Sequence, residues 1–97
     1  MNRLDLHAVI AEVSPLRYTP AGLPALDLRL EHTSRVQEMG QPREVKASIR
    51  AMALGAQAER LQAQSLGSIW QFTGFIASPR NSKHLVFHIQ DFQLISS

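Results

Sequence analysis

Arg17 and Tyr18 stand side by side in Pro15-Leu16-Arg17-Tyr18-Thr19-Pro20-Ala21-Gly22-Leu23-Pro24, a stretch with three prolines and a glycine in ten residues. Such a stretch cannot lie inside a helix or a central strand, so it reads as an ordered turn. A cation beside an aromatic on a β-loop suits the phosphates and bases of single-stranded nucleic acid. Two further groups of residues offer the same chemistry. Lys46 and Arg50 alternate with apolar residues, and Arg80 and Lys83 flank a short polar segment, Pro79-Arg80-Asn81-Ser82-Lys83. Each cation alone is an ordinary solvated surface charge. Their clustering is what points to a polyanion.

Other chemistries lack their parts. The histidines are His7, His32, His84 and His88. His84 and His88 share one face of a strand but are too far apart there to chelate easily, and no third ligand has metal-site spacing. Asp5, Glu12, Asp27, Glu31, Glu38, Glu44, Glu59 and Asp91 are scattered singly, the serines lack a nucleophile-elbow setting, and there is no glycine-rich phosphate loop. Cysteine is absent, which removes disulfides, thiolate catalysis and cysteine-ligated zinc. No enzyme, metal or cofactor is expected.

The positioning elements follow from periodicity. Leu4, Leu6, Ala8, Ile10 and Val13 interleave with Arg3, Asp5, His7 and Glu12, and Ala25 to His32 alternates in the same way. Two half-buried strands therefore form a long hairpin with Arg17 and Tyr18 in its loop. Glu31 to Pro42 is polar, ends in Met39-Gly40-Gln41-Pro42 and reads as a loop. Arg43 to Leu54 is a third strand, with Val45, Ala47, Ile49 and Ala51 on one face and Glu44, Lys46, Ser48 and Arg50 on the other. After Gly55, strong helix formers from Ala56 to Gln64 predict a short helix. Ser68 to Ser78 is a fourth strand with a bulge or bend at Gly74, and His84 to Ile95 is a fifth in which Leu85, Phe87 and Ile89 share a face. Trp70 and Phe72 lie on the more apolar side of the fourth strand and are expected in the core. Phe75 faces the other way and is a candidate for exposed base stacking. Tyr18 either does the same or packs against its own turn.

Three strands, a short helix and two strands is the element order of the OB-fold, a five-stranded Greek-key barrel that often binds oligonucleotides on its second and third strands and in two flanking loops. At 97 residues and 44% apolar content, residues 1–97 are expected to form a single OB-fold domain of all-β class. The formal charge is only +2, from ten Lys and Arg against eight Asp and Glu, so placement of charge says more than its sum. No apolar run approaches the roughly twenty residues of a membrane span, and no signal core follows Met1. The expectation is a soluble, cytoplasmic chain without a membrane partner. Its open strand edges, above all that of Leu4 to Ile10, predict a homodimer.

The segment from Pro15 to Pro24, followed by Leu30-Glu31-His32, resembles the bacterial single-stranded DNA-binding protein superfamily. With Asn2-Arg3-Leu4, Gly74-Phe75-Ile76 and the ending from Ser82-Lys83 to Leu94-Ile95, the chain is most similar within it to the primosomal replication protein N family. The resemblance covers nearly the whole chain. It implies a homodimeric OB-fold that binds single-stranded DNA, works with the PriA helicase in replication restart, and hands over to further proteins such as DnaT in some bacteria. Family binding positions fall on Arg43, Lys46, Arg80 and Lys83. Relatives carry a tryptophan on the third strand where this chain has Lys46, so a stacking platform becomes a point charge. The expected interface is therefore Arg17, Tyr18, Arg43, Lys46, Arg50, Phe75, Arg80 and Lys83. The alternative is an OB-fold module that meets only protein, with these cations facing acidic side chains.

Overall fold

Period-two burial builds the molecule. Leu26, Leu28 and Leu30 turn inward from one strand, Ile10 and Ala8 from a second, Phe72 and Trp70 from a third, and Phe87, Ile89 and Phe92 from a fourth. The computed structural model describes residues 1–80 and 82–96, so Asn81 of the expected basic turn, and Ser97, lie outside the described residues. The elements are β1 (Leu4–Val13), β2 (Arg17–Tyr18), β3 (Pro24–Glu38), β4 (Gln41–Leu54), α1 (Ala56–Gln62), β5 (Ile69–Ala77) and β6 (Val86–Ser96). The sheet runs β1-β5-β6-β4-β3-β2 and closes through a β1–β3 pairing. All pairs are antiparallel except β4–β6, which is parallel and joins only Ala51 to Phe87 and Met52 to His88. This closed five-stranded barrel with one short helix is the expected OB-fold, with β2 as a two-residue addition against Pro24 and Ala25.

The core residues do what the periodicity predicts. Trp70 is buried, meets Phe92 edge-on at 5.2 Å, and donates its indole Nε1–H to Ser68 Oγ at 2.7 Å. That hydroxyl donates in turn to the Ser65 carbonyl at 2.5 Å, so the one polar handle of the aromatic core is satisfied. α1 follows Gly55, whose φ of 66° is a left-handed conformation, and buries Ala58 and Leu61 against the barrel. At Gly74 the β5–β6 register shifts, as the sequence predicts. A Cβ there would run into the His88 carbonyl, so only glycine lets the two strands approach.

Three expectations are corrected. The stretch from Glu31 to Pro42 is not a loop: β3 continues to Glu38, β4 starts at Gln41, and Met39-Gly40 is a two-residue turn with φ of 53° and 75°. Both values are positive, as in the hairpin turns whose twist matches the strands. The ribbon escapes sequence pattern because both of its faces meet water, so nothing selects apolar alternation; its backbone ladder holds it instead. Leu85 does not share the inward face of Phe87, because β6 begins at Val86 and Leu85 is 63% exposed in the preceding loop. The β1 edge is largely covered. β1 pairs with β5 over Leu4–Val9 and with β3 over Val9–Val13, the barrel closure itself, and only the β3-facing side of its first half lacks a strand partner. Even there, His32 Nδ1 lies 2.7 Å from the His7 carbonyl and Nε2 lies 2.9 Å from Ser34 Oγ. The carbonyl can only accept, so Nδ1 donates to it. Among the described residues no helix is long and apolar enough to cross a membrane.

Candidate nucleic-acid interface

Cross-strand register decides which cations share a surface. On the outward face of β3 and β4 the opposed pairs are Asp27–Met52, Arg29–Arg50, Glu31–Ser48, Thr33–Lys46 and Arg35–Glu44. Lys46 and Arg50 therefore lie on one face, four residues or about 13 Å apart, as the alternation predicts. Arg43 does not join them. It opposes Val36 on the other side of the ribbon, and its guanidinium donates to Glu38 at 2.7 Å. An odd-numbered position on a strand whose basic face is even-numbered cannot reach that face without a bulge.

Arg50 is exposed and among the described residues holds no ion pair. It borders two clefts, one shared with His84 and Leu85 and the other with Pro79 and Val86. Both ends of the β5–β6 loop thus flank Arg50, and that loop carries the exposed Arg80 and Lys83. The parallel β4–β6 pairing brings this about: it places Met52 beside His88 and, two residues back, Arg50 beside Val86, the first residue after the loop. Phe75 lies one row further along. Its ring stacks on His88 with centroids 4.8 Å apart and planes at 13°, leaving Phe75 half-buried rather than free on both faces.

The remaining cations are already engaged. Arg17 forms a two-pronged pair with Asp27, at 2.7 and 3.1 Å, which raises the guanidinium pKa further. Because Asp27 faces Met52, Arg17 sits at the edge of the same outward row, but its donors are committed to a carboxylate. Tyr18 is 66% exposed and alternates to the other side from Arg17, so it faces solvent away from that row and does not pack into its turn. Lys46 lies 3.4 Å from Glu44, with 75% of its side chain exposed, a loose and replaceable contact.

Two cations escape the sequence reading. Arg29 is directly across from Arg50, held by Glu31 at 2.6 Å and Glu12 at 3.0 Å, and both carboxylates raise its pKa. Its alternation with Leu28 and Leu30 already placed it outward on the second strand. Arg35 lies on the Lys46 face, in the segment that reads as a loop, where no signal existed. Most strand cations, then, have a carboxylate partner, whereas among the described residues Arg50, Arg80 and Lys83 at the β5–β6 loop rim have none, as do Arg35 on the ribbon and Arg60 on α1. No group of three or more His, Asp or Glu is placed to hold a metal ion among those residues.

An OB barrel with three unpaired cations gathered at one loop rim defines a class, and residues 2–91 match the sequence model of a family described as another single-strand binding protein family. The single-stranded DNA-binding protein from Thermus aquaticus superposes with a TM-score of 0.78 at 26% identity, over 99% of this chain and 50% of that chain. The structure of PriB from Ralstonia solanacearum superposes with a TM-score of 0.88 at 36% identity, over 97% of each chain. Replication restart protein PriB from Bordetella pertussis is 44% identical over 97 residues, covering 99% of this chain and 91% of the relative. PriB from Neisseria meningitidis serogroup B is 42% identical over 93 residues, covering 95% and 92%. The chain belongs to the single-strand binding protein family and, within it, to the PriB group of replication restart proteins.

Proposed function

We propose that this chain is a non-enzymatic, cytoplasmic accessory factor of the primosome that binds single-stranded DNA in replication restart. The observation that carries this reading is the unmatched cation rim: Arg50 on β4 flanked by the loop with Arg80 and Lys83 on the outward side of an OB barrel. Phosphates pass over Arg50 and the loop, and Lys46 extends the track along the ribbon. Phe75, stacked on His88, offers an edge beside that path. From the family likeness, the partner is the PriA helicase, which the factor stimulates, with DnaT as a further partner where it exists. The unpaired side of Leu4 to Leu6 supports a homodimer through β1, and sedimentation at micromolar concentration should show two copies.

A titration of fluorescent oligo-dT at several salt concentrations tests the reading. Arg80→Ala and Lys83→Ala should each reduce the magnitude of the log–log salt slope by about 0.7. The reading fails if both variants keep the wild-type slope. The matched charge of Arg17, Arg29 and Arg43 favours a second reading, a module that binds protein alone. In that case the oligonucleotide would bind without steep salt dependence, and only a partner protein would show it.

A further inference from the structure

We propose that the β3–β4 ribbon senses the end of a duplex next to the bound single strand, with Met39 packing on the exposed terminal base pair. This rests on the single-strand reading above and adds a junction to it. The ribbon leaves the barrel at the buried Leu30 and half-buried Ile49 and continues as a paired ladder to Glu38–Gln41. Nine residues from Leu30 to Met39 carry its tip about 30 Å from the rim. Continuous backbone pairing makes it an arm.

Met39 at the tip is 96% exposed and has φ of 53°. Left-handed backbone favours glycine, asparagine or aspartate, and a two-residue hairpin turn most often has Asn-Gly. Here a long apolar side chain occupies that position, in water, where a polar residue would serve the turn better. Neither local conformation nor burial accounts for it. A base face would account for it, since apolar wedges including methionine insert at base steps, and thioether sulfur packs well on aromatic rings.

An end-on apolar tip meets a flat apolar surface best, and the terminal base pair of a duplex is such a surface in a nucleic acid. The charges behind the tip agree. Arg35 and Lys46 lie on one face of the ribbon and Arg43 on the other, so each face offers cations to one of the two strands entering the duplex. Glu38 and Glu44 lie beside them, but both are ion-paired, to Arg43 at 2.7 Å and Lys46 at 3.4 Å, in exposed pairs that phosphate can displace.

The test compares a plain oligonucleotide with the same single strand attached to a duplex carrying 2-aminopurine at its terminal pair, with the blunt duplex as control. The wild type should bind the tailed duplex about three- to tenfold more tightly than the plain strand and change the 2-aminopurine emission. Met39→Asn suits the turn, so melting temperature should hold or rise and plain-strand affinity should be unchanged, while the junction preference and emission change are lost. Met39→Leu should keep both. The proposal is overturned if the wild type shows no junction preference, if Met39→Asn retains it, or if that variant weakens both ligands alike. Sedimentation of Met39→Asn guards against a copy-to-copy contact, and a change in oligomeric state would equally overturn it. Absence of plain-strand binding with a preserved junction preference would instead count against the single-strand reading.

Discussion

Replacing Lys46 by tryptophan exchanges a point charge for a stacking surface at a position where the structure lets the two be compared. Lys46 opposes Thr33 on the outward face, is 75% exposed, and has only Glu44 at 3.4 Å as an ionic neighbour. An exposed pair of this kind contributes about 0–1 kcal/mol, and tryptophan suits a strand, so the fold should lose no more than a few degrees in Tm. The lost phosphate contact lowers the salt slope by about 0.7. Over a fourfold rise in salt, from about 0.05 to 0.2 M, that alone spares the variant about a 2.5-fold loss of affinity. Stacking adds about 1–3 kcal/mol for one base, or about 5- to 150-fold. At low salt the lost charge offsets part of this gain, while at high salt most of it remains, so the two affinity curves diverge as salt rises. Oligo-dT titrations across the salt series, read by anisotropy and by indole emission, measure both quantities. Quenching should come from the new indole, because Trp70 is buried against Phe92. A folded variant with neither quenching nor a shallower slope would show that residue 46 does not face the strand.

Arg50→Ala should reduce the magnitude of the salt slope by about 0.7, whereas Arg29→Ala should weaken binding more strongly at low salt, because it leaves Glu12 and Glu31 uncompensated beside the path and salt then screens their repulsion. Equal effects of the two in an oligo-dT salt series would refute the distinction between engaged and unmatched cations. Gly74→Ala should destabilise by about 3 kcal/mol, a Tm drop of more than about 10 °C by calorimetry, because its Cβ meets the His88 carbonyl. The Asp5 carboxyl is held below its ordinary pKa by the Arg3 guanidinium at 3.0 Å and by the Thr73 hydroxyl at 2.8 Å. A depressed folded value means that its stabilisation is present above about pH 4 and is lost as pH falls through the folded pKa. Asp5→Asn should therefore flatten the acid limb of a urea-midpoint series against pH, and an unchanged limb would exclude this pair as a contributor.

The sequence alone determined the barrel and most of its inside. Each barrel strand keeps one face dry, so Leu26, Leu28 and Leu30, Trp70 and Phe72, and Phe87 and Ile89 announce themselves by period two, and Gly74 announces its bend by interrupting a β-rich run. The same parity put Lys46 and Arg50 outward together. What only the tertiary structure decided lies where that signal is silent. The ribbon beyond His32 has water on both faces, and without a dry side no pattern records it, so Arg35 was invisible and Met39 read as loop. Nor does a sequence say which carboxylate comes to rest beside which cation. Arg17, Arg29 and Arg43 turned out to be engaged by Asp27, by Glu31 and Glu12, and by Glu38, and apart from Glu31, two residues along the same strand, these partners are fixed by cross-strand register and barrel closure. The parallel contact of Ala51 with Phe87 and Met52 with His88, a pairing between strands remote in the chain, is what sets Arg50 beside the loop of Arg80 and Lys83.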